Sequence, residues 1–388
     1  MRFLTAKRIH DGNKWLPEGA TIELAEDGTI EAILDSPVDD ARHYDGIITP
    51  GFVNVHCHLE LSHMKGVVEE GTGLMSFLKN IPQYRNSFTE EQKKEARHAA
   101  FAAMTDNGIV AVGDIANTTD TLDLRRLDKI HFQTFIEALG FAATGAHKAF
   151  GYATASFDQY ATQSQGKHLL RQAIVPHAPY SVSSTLFRMI DEHQPGTVIS
   201  IHNQESDEEN KFYARKEGKV RELLHLMGID DGHFMPTGKP SLESYLEWLS
   251  PKRPYILVHN TYSGRYDIAC ARSHAGETHW CLCPNANLYI ENRLPDIDTF
   301  ITEQVNICIG TDSLASNHQL SVLAELMTIK KHYPHLSWET LLQWGTANGA
   351  RALQMERSIG TIEPGKRPGL LHITGDEINL QNSVTRII

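Results

Sequence analysis

Five apolar, β-branched stretches of this chain each end on a side chain that binds metals or carries protons. Phe52-Val53-Asn54-Val55 leads into His56 and His58, Ala173-Ile174-Val175-Pro176 into His177, and Val198-Ile199-Ser200-Ile201 into His202. Tyr255-Ile256-Leu257-Val258 leads into His259, and Asn306-Ile307-Cys308-Ile309-Gly310-Thr311 into Asp312. A parallel barrel sets all its strand ends on one rim, so residues far apart in sequence converge there. With 21 histidines in 388 residues, a His-x-His pair arises about once by chance, so the His56/His58 pair decides little by its spacing alone. Its position decides more, because residues i and i+2 of a strand point to the same side and can hold one ion together.

Residues 1–50 read as short strands (Met1 to His10, Ala20 to Leu24, Ile30 to Leu34) broken by Asp11-Gly12 and Asp27-Gly28. The last stretch, Gly360 to Lys366 and then Gly369 to Ile373, is again turn and strand. Neither end can bury a core alone, so the two are expected to pair into one small β domain, a β-sandwich built from residues 1–50 and 355–388. Between them, residues 51–354 alternate strands with amphipathic helices: a helix at Glu91 to Met104, strands at Gly108 to Asp114 and His131 to Leu139, and helices at Ser183 to His193 and Leu320 to Lys331. Strand ends near His58, Asp114, Glu137, His177, His202, His259, Cys283 and Asp312 make eight, which predicts an α/β fold of the distorted (β/α)8 TIM-barrel kind. An open doubly wound sheet would carry a Gly-rich phosphate loop after its first strand, and none is present.

The hydrophobic content of 41% is ordinary for a globular enzyme. No run reaches the eighteen or so apolar residues of a membrane span, and the N-terminus lacks the apolar centre of a signal peptide, so a cytoplasmic protein is expected. The five cysteines (Cys57, Cys270, Cys281, Cys283, Cys308) have no Cys-x-x-Cys spacing and read as reduced thiols. A net charge of −12 without a Lys/Arg block argues against nucleic-acid or anionic-membrane partners and leaves a small molecule as the expected ligand.

His56, His58, His202 and Asp312 form a mixed N/O donor set that suits one divalent metal ion, Zn²⁺ first and Fe²⁺ second, rather than Mg²⁺ or Ca²⁺. Metal coordination lowers the pKa of water from about 15.7 to about 7, which generates a nucleophile at neutral pH. Glu205 follows His202 by three residues and has two readings, a proton shuttle facing the activated water or a helix-start carboxylate stabilised by the helix dipole. His259 likewise reads either as a group that orients the water or as a core histidine bonded to backbone.

These residues, in this order, resemble the amidohydrolase superfamily, specifically its deaminase and chlorohydrolase branch. The matching segments are PGFVNVHCHLELS (50–62), PHAPYSVS (176–183), HNQES (202–206), LVHN (257–260), CPNANL (283–288), GTDSLASN (310–317) and GTIEPGK (360–366). The resemblance implies that His56, His58, His202 and Asp312 bind the metal, that Glu205 moves protons, and that Asp312 and His259 serve the catalytic water. It places His177, Glu60 and Asn287 at the substrate. Two-metal relatives carry a carboxylated lysine at the end of the fourth strand, where this chain has Ile174-Val175-Pro176-His177, so one metal is implied. The form His56-x-His58-x-Glu60-x-Ser62 is similar to aminodeoxyfutalosine deaminases, and the branch also includes S-adenosylhomocysteine/methylthioadenosine deaminases. Asn285 and Ala286 depart from the usual CPxSN pattern, as does Tyr289 to Arg293 from the Gly-rich segment that commonly follows. The other zinc-deaminase pattern, H-x-E with P-C-x-x-C, is absent.

The expected function is therefore hydrolytic deamination of an aminopurine-type ring, such as an adenosine-like nucleoside, with release of ammonia. Cyclic amide or imidazolone hydrolysis, guanine-type deamination and chlorohydrolysis on the same barrel are the alternatives. Leu59 to Arg85, with a helical stretch at Leu74 to Ile81, is expected to wall the pocket, as loops on that rim do. Similar barrels are commonly dimeric, so a homodimer is an open expectation.

Overall fold

The structure, a computed structural model, describes residues 2–251, 253–274, 276–375, 377–379 and 382–388. Near the N-terminus lie β1 (Arg2–Ile9), β2 (Thr21–Leu24), β3 (Ile30–Leu34) and β4 (Arg42–Pro50). Next come β5 (Phe52–Cys57), β6 (Ile109–Ala116), β7 (His131–Ala138) and β8 (Leu170–Pro176), which form a four-stranded sheet, parallel throughout. A second parallel sheet holds β9 (Ile199–Asn203), β10 (Tyr255–His259), β11 (Thr278–Leu282) and β12 (Asn306–Ile309). Finally β13 (Leu370–Thr374) and β14 (Val384–Arg386) return to the N-terminal strands.

Every residue of β5, β6, β7, β9 and β10 is buried. That is the expected state of parallel strands covered on both faces, and it explains why these segments read as unbroken apolar runs. Backbone hydrogen bonds cross from one parallel sheet to the other at both edges. The His202 amide in β9 donates to the carbonyl of His177, just past β8, at 3.0 Å, and the Thr311 and Asp312 amides, just past β12, both donate to the His56 carbonyl in β5 at 3.0 Å.

Both ends of the chain meet in one six-stranded sheet of order β14-β13-β4-β1-β2-β3. The mutual pairing of the ends is as expected; among the described residues their hydrogen bonds form a single sheet, with no second sheet facing it. Alternate residues of its central strands serve two cores. Ile48 and Leu370 pack with Leu4, Ile22 and Ile30, whereas Ile47, Leu371 and Ile373 face the main body. β4 and β14 are elements that sequence patterning missed. The first half of β4, Arg42 to Asp45, is largely exposed and polar, so only its second half carries an apolar signal.

Helix starts are set by local chemistry. Thr89 and Gln92 form a reciprocal capping box before Glu90–Asp106, and the Ser183 hydroxyl accepts the Leu186 amide before Ser184–His193. The helix Leu74–Arg85 begins after Gly73 and lies over the rim formed by the strand ends. Among the described residues, no helix is long and apolar enough to cross a membrane. All five cysteines are free thiols.

Candidate metal and catalytic site

The strand ends bring His56, His58, His202 and Asp312 together. The Nε2 atom of His58 lies 3.1 Å from that of His56 and 3.3 Å from that of His202. The Asp312 Oδ1 atom is 3.4 Å from His58 Nε2 and 3.6 Å from His56 Nε2. Donors held 2.0–2.1 Å from a tetrahedral Zn²⁺ stand about 3.4 Å apart, so this spacing fits one divalent ion.

The protonation pattern fits as well. His202 Nδ1 is 2.7 Å from the His177 carbonyl, which can only accept, so Nδ1 carries the proton and the Nε2 lone pair is turned to the cluster. Burial lowers the pKa of His56, and lowers those of His58 and His202 well below the ordinary histidine range. The rings are thereby kept neutral, as metal ligands must be. Burial alone would raise the Asp312 carboxyl, but the adjacent His56, His58 and His259 imidazoles outweigh it and bring the value well below the usual range. Asp312 Oδ2 is fixed by the Ser316 hydroxyl at 2.6 Å. His56 Nδ1 is buried without a hydrogen-bond partner among the described residues.

Glu205 lies just past β9, before the Ser206 cap of the helix Asp207–Arg215. It therefore stands outside that helix, and its carboxylate lines the cavity 3.7 Å from His259 Nε2. Burial, with Asp312 and Glu291 adding, pushes its pKa well above the carboxylate range. His259 Nδ1 meets the Asn287 side-chain oxygen at 2.9 Å, which turns Nε2 toward Glu205 and the cluster. This Nε2 is also buried without a hydrogen-bond partner among the described residues.

His259, Asn260 and Asp312 sit in the left-handed backbone region, with φ of 72°, 57° and 57°. Such conformations cost on the order of 1–3 kcal/mol each outside glycine and persist where surrounding bonds over-determine them. Here the Asn260 side-chain amide donates to the Leu257 and Cys281 carbonyls at 2.7 and 3.2 Å, and the Asp312 amide is held by the His56 carbonyl. The kink lets a strand-end residue aim its side chain at the rim centre.

Of the expected substrate contacts, only His177 lines the cavity, with Nδ1 2.7 Å from the Ser181 hydroxyl; burial lowers its pKa to about 4. Glu60 and Asn287 do not line it. The Glu60 carboxylate accepts from Arg85 at 3.0 Å, from the Asn117 and Thr118 amides at 3.1 and 3.2 Å, and from the Thr118 hydroxyl at 3.1 Å. Asn287 is occupied by His259. Glu137 was read only as a strand end, yet its Oε1 atom is 3.4 Å from His202 Nδ1 and Asn117 donates to its Oε2 at 2.9 Å. No motif marks it; an acid closing a buried apolar strand is the one signal that points to it.

The profile of the Amidohydrolase family matches residues 47–385, and the chain belongs to that family; with its deaminase relatives this makes it a hydrolase of carbon–nitrogen bonds. Over 382 residues it is 24% identical to a 5-methylthioadenosine/S-adenosylhomocysteine deaminase of Halalkalibacterium halodurans, across 92% of this chain and 80% of that one. The crystal structure of Helicobacter pylori aminofutalosine deaminase in complex with methylthio-coformycin matches with a TM-score of 0.82 at 20% identity, across 100% of both chains. An adenosine deaminase from Xanthomonas campestris with bound zinc matches with a TM-score of 0.72 at 22% identity, across 96% of this chain and 84% of that one.

Proposed function

We propose that the protein is a metal-dependent hydrolytic deaminase that releases ammonia from an aminopurine-type ring of an adenosine-like substrate. The observation that carries this reading is the Glu205 carboxylate, buried yet facing the cavity, beside His259 and the donors of His56, His202 and Asp312 gathered around His58. The deaminases among its relatives support the substrate type.

His56, His58, His202 and Asp312 would hold the ion, with Zn²⁺ favoured by the donor set and by the zinc-bound relative. When bound, a divalent ion supplies Lewis acidity that brings the pKa of water toward neutrality. Glu205 takes a proton from the attacking water as its oxygen bonds to the amine-bearing ring carbon. It delivers that proton to the adjacent ring nitrogen, and then assists protonation of the amine as the carbon–nitrogen bond breaks. His259 Nε2 orients the water; Asp312 takes the second water proton as the ring carbonyl forms and passes it, by way of Glu205, to the amine, which leaves as ammonia. His177 is assigned to the substrate ring; Asn287 acts through His259, and Glu60 through Arg85.

The eight parallel strands are read as a closed (β/α)8 barrel over residues 51–354, and the hydrogen bonds across both sheet edges support closure. Residues 1–50 and 355–388 form the second unit. The free thiols support a cytoplasmic setting.

Ammonia release from adenosine-like, guanine-like, lactam and chlorotriazine compounds tests the reaction class. Ammonia from the adenosine-like group is the expected result; turnover confined to the lactams would overturn the proposal. Glu205→Gln should lower kcat by about 10²- to 10⁴-fold with metal content unchanged. Activity near that of the wild type would remove Glu205 from the mechanism.

A further inference from the structure

The cavity above the candidate site encloses about 400 Å³ and is chemically divided. Its floor holds His58, His177, His202, Glu205, His259 and Asp312. Its walls are apolar. Leu74, Phe77, Leu78 and Ile81 come from the helix Leu74–Arg85, and Leu223, Met227 and Ile229 from the helix Lys219–Leu226 and the turn after it.

Several polar groups at the edge of this wall are already partnered. Arg85 is the one lysine or arginine among the lining residues, and its Nη2 donates to Glu60 at 3.0 Å. The Glu60 side chain is 1% exposed, so its charge depends on that guanidinium and on the Asn117 and Thr118 donors. Asn117 is engaged by Glu137, and the Ser181 hydroxyl by His177. A carboxylate entering this space would have to share Arg85 with Glu60 and lie near Glu137. Burying a charge without its own partner is disfavoured, whereas an apolar group gains from every methylene it removes from water.

We propose that the substrate carries, away from its reacting amine, an uncharged apolar substituent, and that the Glu60–Arg85 pair makes the protein discriminate against substituents ending in a carboxylate or an amino-acid zwitterion. This rests on the deaminase reading above. Glu60 is thus a specificity-determining residue that acts through Arg85.

The test measures kcat/KM by ammonia release for adenosine and for 5′-thio analogues bearing methyl, propyl, benzyl, carboxypropyl and homocysteine groups. Each buried methylene should raise kcat/KM by about fourfold, the ratio equivalent to about 0.8 kcal/mol. The carboxypropyl and homocysteine compounds should fall about tenfold or more below apolar ones of similar length. Glu60→Gln releases Arg85 and should shift the ratio of carboxylate-tailed to apolar-tailed turnover upward by about tenfold or more. Ile81→Lys, at a half-buried wall position, should move the ratio the same way by adding a cation without disturbing Glu60. Ammonia release with a flat series, or with wild-type preference for the carboxylate tails, overturns this inference and leaves the deaminase reading standing. No ammonia from any member overturns both. Should either variant fail to fold, the wild-type series alone decides.

Discussion

Gly310 offers a direct test of how tightly the ligand cluster is built. A Cβ added there would lie 2.8 Å from the His56 Cβ and 3.0 Å from the sulfurs of both Cys281 and Cys283. Carbon atoms rest at about 3.5–4.0 Å, so His56 must retreat by about 0.7 Å or the strand end must shift by as much. Cys281 and Cys283 are fully buried, which closes the other directions of relief. Overpacking of this kind costs about 1–3 kcal/mol. Ligand distances tolerate only about ±0.2 Å, so Gly310→Ala should also weaken metal binding, by about 10- to 100-fold on the scale of ligand-orienting contacts. Competition against a chromophoric chelator gives the affinity, and denaturant unfolding of the metal-free protein gives the stability. Gly151→Ala is the control: it lies within the helix Ala146–Ala161 with no atom within 4 Å of the added Cβ, and should stabilise by about 0.5–1 kcal/mol. Wild-type affinity and stability in Gly310→Ala would refute the claim that this glycine sets the position of His56.

Asn287→Leu removes the acceptor for His259 Nδ1 and leaves a buried N–H unsatisfied, at about 1–3 kcal/mol. Steady-state kinetics should show a lower kcat with KM and metal content retained, and Asn287→Asp, which still accepts that proton, should recover most of the loss; equal damage from both would reduce Asn287 to a packing role. Glu209 is buried, with Oε1 accepting from the Gln204 amide at 3.0 Å and from the Ser241 hydroxyl, and Oε2 without a hydrogen-bond partner among the described residues. Burial raises its pKa from 4.5 to about 8. The native state therefore keeps a proton that the unfolded chain has lost, and between those two values stability falls as pH rises, by about 1.36 kcal/mol per unit for this one group. Glu209→Gln should flatten the pH dependence of unfolding free energy over that window, and curves parallel to those of the wild type would show that Glu209 does not bind the proton.

The parts of the site that could be read in the sequence are those fixed by strand periodicity. A run such as Tyr255 to Val258 buries on both faces and delivers His259 to a rim, and the same logic places His56, His58, His202 and Asp312. What escaped depends on contacts between distant segments. Glu60 carries its signal in the form it shares with His56, His58 and Ser62, but its partners Arg85, Asn117 and Thr118 lie 25, 57 and 58 residues away, so its hydrogen bonds could not be read from its neighbours. Glu137 has no flanking motif and gains meaning only from His202 and Asn117. The left-handed turns at His259 and Asp312 carry no glycine to announce them, because hydrogen bonds from neighbouring strands, rather than the residue type, impose the conformation. β4 hid behind its solvated first half.

The bond from the Thr311 amide to the Asn54 side chain, spanning 257 residues, joins the two segments that carry the outermost donors. During synthesis the His56 segment leaves the ribosome long before Asp312 has been translated, so the growing polypeptide holds an incomplete claw. A site built from all four side chains is complete only once almost the whole chain has emerged, so its occupancy would report finished folding.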